Sequence, residues 1–191
     1  MNGGLRNQCK QHTRTDLKNR DSLRHRNVSD GTIRRSTCRP NATMPINFDF
    51  PLAEEIIRNV DAALAEDIGP GDLTASLVPG DRQVKATVIS RETGVLCGTA
   101  WFDECVVRLD PQARVTWHAA DGDRIAANQL LCDIEANGRA LLSAERSALN
   151  FLQLLSAVAS KARIYADEIA STNAQVVDTR KTLPGLRIAQ K

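Results

Sequence analysis

The sequence predicts an α+β domain, a hammerhead- or sandwich-like sheet set among helices, that leads into a long helix and a cation-rich strand end. Three observations predict it. Apolar residues recur at helical spacing over Leu52–Asp67 and again over Ser143–Ile169. Short alternating segments cluster between Gln83 and Ala136. Val176-Val177 then runs into Asp178-Thr179-Arg180-Lys181-Thr182, and Leu183-Pro184-Gly185 marks the exit into a turn.

Composition sets the bounds. The 191 residues suffice for one ordinary domain or two small ones, and with 42% hydrophobic but only 4% aromatic residues the core is aliphatic. The net charge of +2 conceals an asymmetry. Residues 1–43 hold ten Lys/Arg against three Asp/Glu, and residues 44–191 hold fifteen against twenty. Cys9, Cys38, Cys97, Cys105 and Cys132 form no CxxC pair and read as reduced thiols of an intracellular protein rather than zinc ligands or disulfides. No apolar run approaches the length of a membrane span. Residues 1–43 lack aromatic residues and any helical or strand period, so a disordered basic tail or a mis-called start before Met44 is expected. A nucleic-acid arm would want aromatics to stack on bases, and a transit peptide would not carry Asp16, Asp21 and Asp30.

Taken in order, Leu52, Ile56, Val60, Ala63 and Leu64 make an amphipathic helix that stops at the breakers Gly69-Pro70-Gly71. Glu66, Asp67 and Asp72 around that turn read as caps and turn formers in preference to metal ligands. Gln83–Ser90 alternates as a half-exposed strand, Gly94–Gly98 suggests a second, and Thr99–Leu109 a short helix burying Ala100, Phe102, Val106 and Leu109. Arg114–His118 suggests another strand, with His118 in a structural role. The Asp121-Gly122-Asp123 turn, the apolar run to Ala136 and Asn137-Gly138, a hairpin signal, together look like the flattened sandwich of biotinyl and lipoyl carriers. The carrier lysine is missing from the tip, where Arg139 follows Asn137-Gly138. Ser143 then caps a long, mostly buried helix through Phe151, Leu155, Val158, Ala162, Tyr165 and Ile169. Arg146 and Asn150 share one side near its start, and Arg146 is expected to pair with Glu145 or an external carboxylate, or to face another subunit. Arg180 and Lys181, at the carboxyl end of a strand, suit an anion or else form ordinary surface charge.

The runs Ser143-Ala144-Glu145-Arg146-Ser147-Ala148-Leu149-Asn150-Phe151-Leu152-Gln153 and Asp178-Thr179-Arg180-Lys181-Thr182-Leu183-Pro184-Gly185-Leu186-Arg187 closely resemble the nicotinate-nucleotide pyrophosphorylase (quinolinate phosphoribosyltransferase) family. Glu66-Asp67-Ile68-Gly69-Pro70-Gly71-Asp72-Leu73-Thr74 is similar to the family's opening segment, and the likeness runs from about Pro51 to Lys191. The resemblance implies a cytoplasmic, homodimeric, decarboxylating pentosyltransferase of NAD biosynthesis. It would move phosphoribose from 5-phosphoribosyl 1-diphosphate to quinolinate, with Mg2+ required and no nucleic acid or membrane partner. It implies an N-terminal α+β domain followed by an open α/β barrel. It further implies that Thr179, Arg180 and Lys181 bind substrate, that Lys181 acts in catalysis, and that Arg146 reaches the partner subunit's site.

On this resemblance the organisation is a basic tail or mis-called start at 1–43, an α+β domain at 44–142, and the truncated start of the barrel at 143–191. The chain stops where the family continues into further strands, a later His-Arg pair, another lysine and the acidic residues that handle magnesium, so an inactive fragment is expected. The rival expectation is a non-catalytic binding or interaction fragment built on the lipoyl-like sandwich.

Overall fold

The computed structural model describes residues 52–191. The expectation for residues 1–43 lies outside the described residues. Helix α1 (Leu52–Ile68) forms where the first apolar stripe predicts it and buries Asn59, Val60 and Leu64. A single 3-10 turn at Ala75–Leu77 follows. Strand β1 (Gln83–Ile89) and the two-residue β2 (Gly94–Val95) precede helix α2 (Thr99–Leu109). Then come β3 (Arg114–Trp117), β4 (Arg124–Ile125), β5 (Leu130–Asn137) and α3 (Gly138–Glu168).

β5 is the centre of an antiparallel three-stranded sheet of order β1-β5-β3, and β2 pairs with β4 in a second, two-stranded sheet. Val84 lies opposite Ala136 and Ala86 opposite Ile134, a register that turns those apolar side chains toward the helices. The alternate residues Lys85, Thr87, Arg114, Thr116, Asp133 and Glu135 stand on the solvent face, where Lys85 pairs with Glu135 at 2.5 Å. Helices therefore cover one face of the sheet, and the core lies between: Leu96, Phe102, Cys105, Val106, Cys132, Ile134, Ala144, Ala148 and Leu155, with Val60 of α1. Trp101 and Cys105 join Phe102 and Val106 inside, whereas Ala100, expected to be buried, is exposed.

Small residues let α3 come close to the β2 loop. Ser160 Oγ accepts from Val95 N at 2.8 Å, and Ser156 Oγ accepts from Cys97 N at 3.0 Å and donates to Cys97 O. A Cβ on Gly94 would lie 2.8 Å from Ser160 Oγ and would push that hydroxyl off its bond to Val95 N. Asp121 supplies the α2 start, accepting from the amides of Gly98 and Thr99 at 3.2 Å each.

Three expectations need correction. Asn137-Gly138 does not turn a hairpin. Asn137 is the N-cap of α3, its side chain accepting from Arg139 N and Ala140 N, while its own amide donates to Asp110 and its Nδ2 to Gly80 O. The lipoyl-like sandwich is thus replaced by a sheet that feeds directly into a helix, and Ser143 lies inside that helix with its hydroxyl on Asp72 at 2.8 Å. Second, α3 is buried only as far as Leu155, because α1, α2 and β2 cover its first part; from Lys161 to Glu168 it is exposed. Third, the strand expected at Val176-Val177 does not form: residues 174–179 are irregular, and Val177 is 75% exposed. An isolated extended segment leaves its N–H and C=O groups without ladder partners, and no described strand runs beside it.

Candidate functional site

The functional side chains gather around two junctions of α1, one at its end with α3 and one with the segment 182–191. At the first, Asp67 in the last turn of α1 accepts from Arg146 Nη1 at 2.7 Å. Five residues on, Asp72 accepts from Ala75 N at 2.9 Å and from Ser143 Oγ at 2.8 Å. These hydrogen bonds, the one from Ala75 foremost, hold the Asp72 carboxyl below its ordinary value. Ser143 and Arg146 are three residues apart on α3, so the acidic turn grips one face of the helix at two points. Asp67 also lines a hollow of about 320 Å³ with Glu66, Ser147, Asn150, Phe151 and Leu186.

At the second junction, Gly185 turns with φ +81°, and its carbonyl accepts from Arg58 Nη2 at 2.9 Å and from Asn59 Nδ2 at 3.3 Å. Asn59 is buried, and its Oδ1 accepts from the Trp101 indole at 3.2 Å, so one amide side chain ties α2, α1 and the Pro184-Gly185 turn together. Leu186 and Ala189 pack against the core from this segment. The hollow beside it, about 650 Å³, is lined by Arg58, Arg180, Arg187 and Lys191 against Glu55. Arg58 lowers the Glu55 carboxyl pKa, and Lys191 is held by Asp178 at 2.5 Å.

Of the residues singled out from sequence, Arg180 lines this cationic hollow. Thr179 Oγ1 accepts from Lys181 N at 3.1 Å, which sets the backbone of the pair, and both cations are exposed. Arg146 is 74% exposed on α3 and does not line the hollow that holds Arg180. Arg58 and Arg187 were not singled out as site residues. Arg187 was legible as the end of the second motif, but Arg58 carried no signal, being one cation on a solvated helix face. Lone His118 bonds Asp133 at 2.7 Å on the open sheet face, in keeping with a structural role. Among the described residues no group of three or more His, Cys, Asp or Glu is placed to hold a metal ion.

The family model described as "Quinolinate phosphoribosyl transferase, N-terminal domain" matches residues 72–156, and that for the C-terminal domain matches residues 158–191. The chain belongs to the quinolinate phosphoribosyltransferase family. The division between the two family domains falls within α3, so a single helix carries one into the other. The chloroplastic nicotinate-nucleotide pyrophosphorylase (carboxylating) of Arabidopsis thaliana is 36% identical over 134 residues, covering 69% of this chain and 38% of its own length. The probable enzyme of Bacillus subtilis is 34% identical over 126 residues, 66% of this chain and 44% of the relative. Among solved structures, the nicotinate-nucleotide pyrophosphorylase of Francisella tularensis superposes with a TM-score of 0.69 at 38% identity, over 72% of this chain and 49% of that one. The chain therefore spans about half or less of the length of these relatives, and the quinolinate phosphoribosyltransferase scaffold seen here is that part.

Proposed function

We propose that this chain supplies the acceptor-binding half of a quinolinate phosphoribosyltransferase, a decarboxylating pentosyltransferase of NAD biosynthesis. The reading rests on one observation above all: both family domain models match in order, and the second covers the Thr179-Arg180-Lys181 stretch. Quinolinate carries two adjacent carboxylates on a pyridine ring. Arg180 offers a planar fork for one carboxylate and Lys181 a compact charge for the other, while Thr179 fixes the backbone between them. Arg146, projecting from α3, would reach the same acceptor in the partner subunit of a homodimer. In the reaction the pyridine nitrogen bonds to the anomeric carbon of 5-phosphoribosyl 1-diphosphate and diphosphate leaves; the 2-carboxylate then departs as carbon dioxide, its bonding pair stays on ring carbon 2 beside the positive nitrogen, and that carbon takes a proton from water to give nicotinate mononucleotide.

Cations set around the ring would hold the carboxylates while positive charge develops on the ribose, a charge they could not favour without the ring's own negative groups between. Lys181 is the residue assigned to the catalytic step. Magnesium would arrive with the diphosphate substrate, and no step is assigned to it. The three cysteines among the described residues are free thiols, which supports a reducing, cytoplasmic setting. Since Arg180 and Lys181 lie on an irregular, exposed segment and Arg146 on a separate surface, the 191-residue polypeptide alone is proposed to be inactive.

The test is formation of nicotinate mononucleotide by the protein purified from its native source. Arg180→Ala and Arg146→Ala are each expected to lower kcat/KM by about a hundredfold or more, in line with loss of a positioned charged contact. Turnover that survives both substitutions would refute the assignment.

A further inference from the structure

The acidic turn after α1 has no part in the reading above, yet it touches the one substrate cation that lies on a helix. We infer that Asp67 is a positioning residue, which orients the Arg146 guanidinium for the acceptor carboxylate; the inference rests on the proposed function.

Arg146 has a long side chain, 74% exposed, and left alone it would sample many rotamers. Its binding partner would have to fix them at the moment of binding, at a cost in affinity. Asp67 removes that freedom. Its side chain is only 22% exposed, it sits in the last turn of α1, and its Oδ1 takes Nη1 of Arg146 at 2.7 Å. The bond uses one corner of the guanidinium. No other described residue engages its Nε/Nη2 edge, the edge that donates two parallel hydrogen bonds to a carboxylate.

The turn itself is locked. Asp72 caps Ala75 and holds Ser143 one helical turn before Arg146, so Asp67 cannot drift along α3 without breaking a second pair of bonds. A bond made only to stabilise the surface would need none of this bracing, and an exposed ion pair contributes little to stability. The bracing has a use if direction matters: α1 would set the angle at which Arg146 leaves α3.

Two variants test it in the native protein, with quinolinate as the varied substrate. Asp67→Ala should raise KM for quinolinate by about thirtyfold with kcat changed less than threefold, and Asp67→Asn, which keeps the shape and an acceptor but drops the charge, by about fivefold. Should Asp67→Ala fail to fold, Asp67→Asn carries the test. An unchanged KM in the folded variant, or a fall in kcat alone, overturns the positioning role while leaving the functional reading intact. Absence of turnover in the unsubstituted protein overturns the functional reading and this inference with it. In the 191-residue polypeptide, phenylglyoxal labelling of Arg146 followed by peptide mass spectrometry should quicken severalfold in Asp67→Ala; an unchanged rate shows that the pair does not restrain the guanidinium and also overturns the inference.

Discussion

Buried polar contacts at single residues carry much of the specificity of this fold. Asn59 is the clearest case, an amide among apolar neighbours that satisfies the Trp101 indole with its oxygen and Gly185 with its nitrogen. Asn59→Ala strands the indole N–H, and a loss of about 1–3 kcal/mol in urea denaturation is expected. Cys105 and Cys132 illustrate the opposite, thiols that burial pushes up to about 12. At pH 8 their thiolate fraction is on the order of one in ten thousand, so iodoacetamide should leave both unlabelled until the protein is unfolded. On the open sheet face the Lys85 ammonium lowers the Glu135 carboxyl below its ordinary 4.5. The folded value being the lower one, the pair's contribution is present above the unfolded value and disappears as pH falls through the folded one. The Glu135 carboxyl resonance should therefore titrate below 4.5 in the folded protein and return toward it in Lys85→Met.

Among the elements, caps and close approaches decide where each begins. Asn137→Ala should cost about 1 kcal/mol of stability from the cap alone, and more because the Nδ2 bond to Gly80 O goes with it. Thermal denaturation with Asn137→Asp as the control separates the two, because the aspartate keeps the cap. The helices α1 and α2 and the strands β1, β3 and β5 were legible because burial on one face writes a period into the sequence: Val84, Ala86 and Val88 point in, Lys85 and Thr87 out. The start of α3 was not. Asn-Gly is a two-residue signal shared by tight hairpins and helix caps, and the choice between them depends on whether a strand returns, which is a tertiary fact. Nor was the irregular course of Val176-Val177 legible, since β-branched residues favour extension only where a neighbouring strand completes the ladder. Of the site, the cations Arg146, Arg180 and Lys181 were visible as types in a motif. Asp67 was visible only as one acid in a turn, because its bond to Arg146 spans 79 residues.

For the molecule as a whole, Ile164 and Tyr165 on the far half of α3 and Val176 and Val177 beyond it are half or more exposed, with the Lys161 ammonium lying over the Tyr165 ring at 5.0 Å. The 191-residue polypeptide should self-associate through them. Sedimentation equilibrium of Ile164→Lys/Val177→Lys is expected to show a monomer, and an unchanged oligomer would place the association elsewhere. Amides of residues 175–180 should exchange with solvent at close to unprotected rates, whereas those of β5 should outlast every other described strand, because among the described strands β5 alone is bonded on both sides.

The most direct measurement is release of labelled carbon dioxide from the 2-carboxyl of quinolinate by protein purified from its native source. Release that requires 5-phosphoribosyl 1-diphosphate, disappears in Arg180→Ala and is absent from the 191-residue polypeptide is the predicted result. Native protein that binds neither substrate and releases no carbon dioxide would contradict the account, and leave a family scaffold put to some other use.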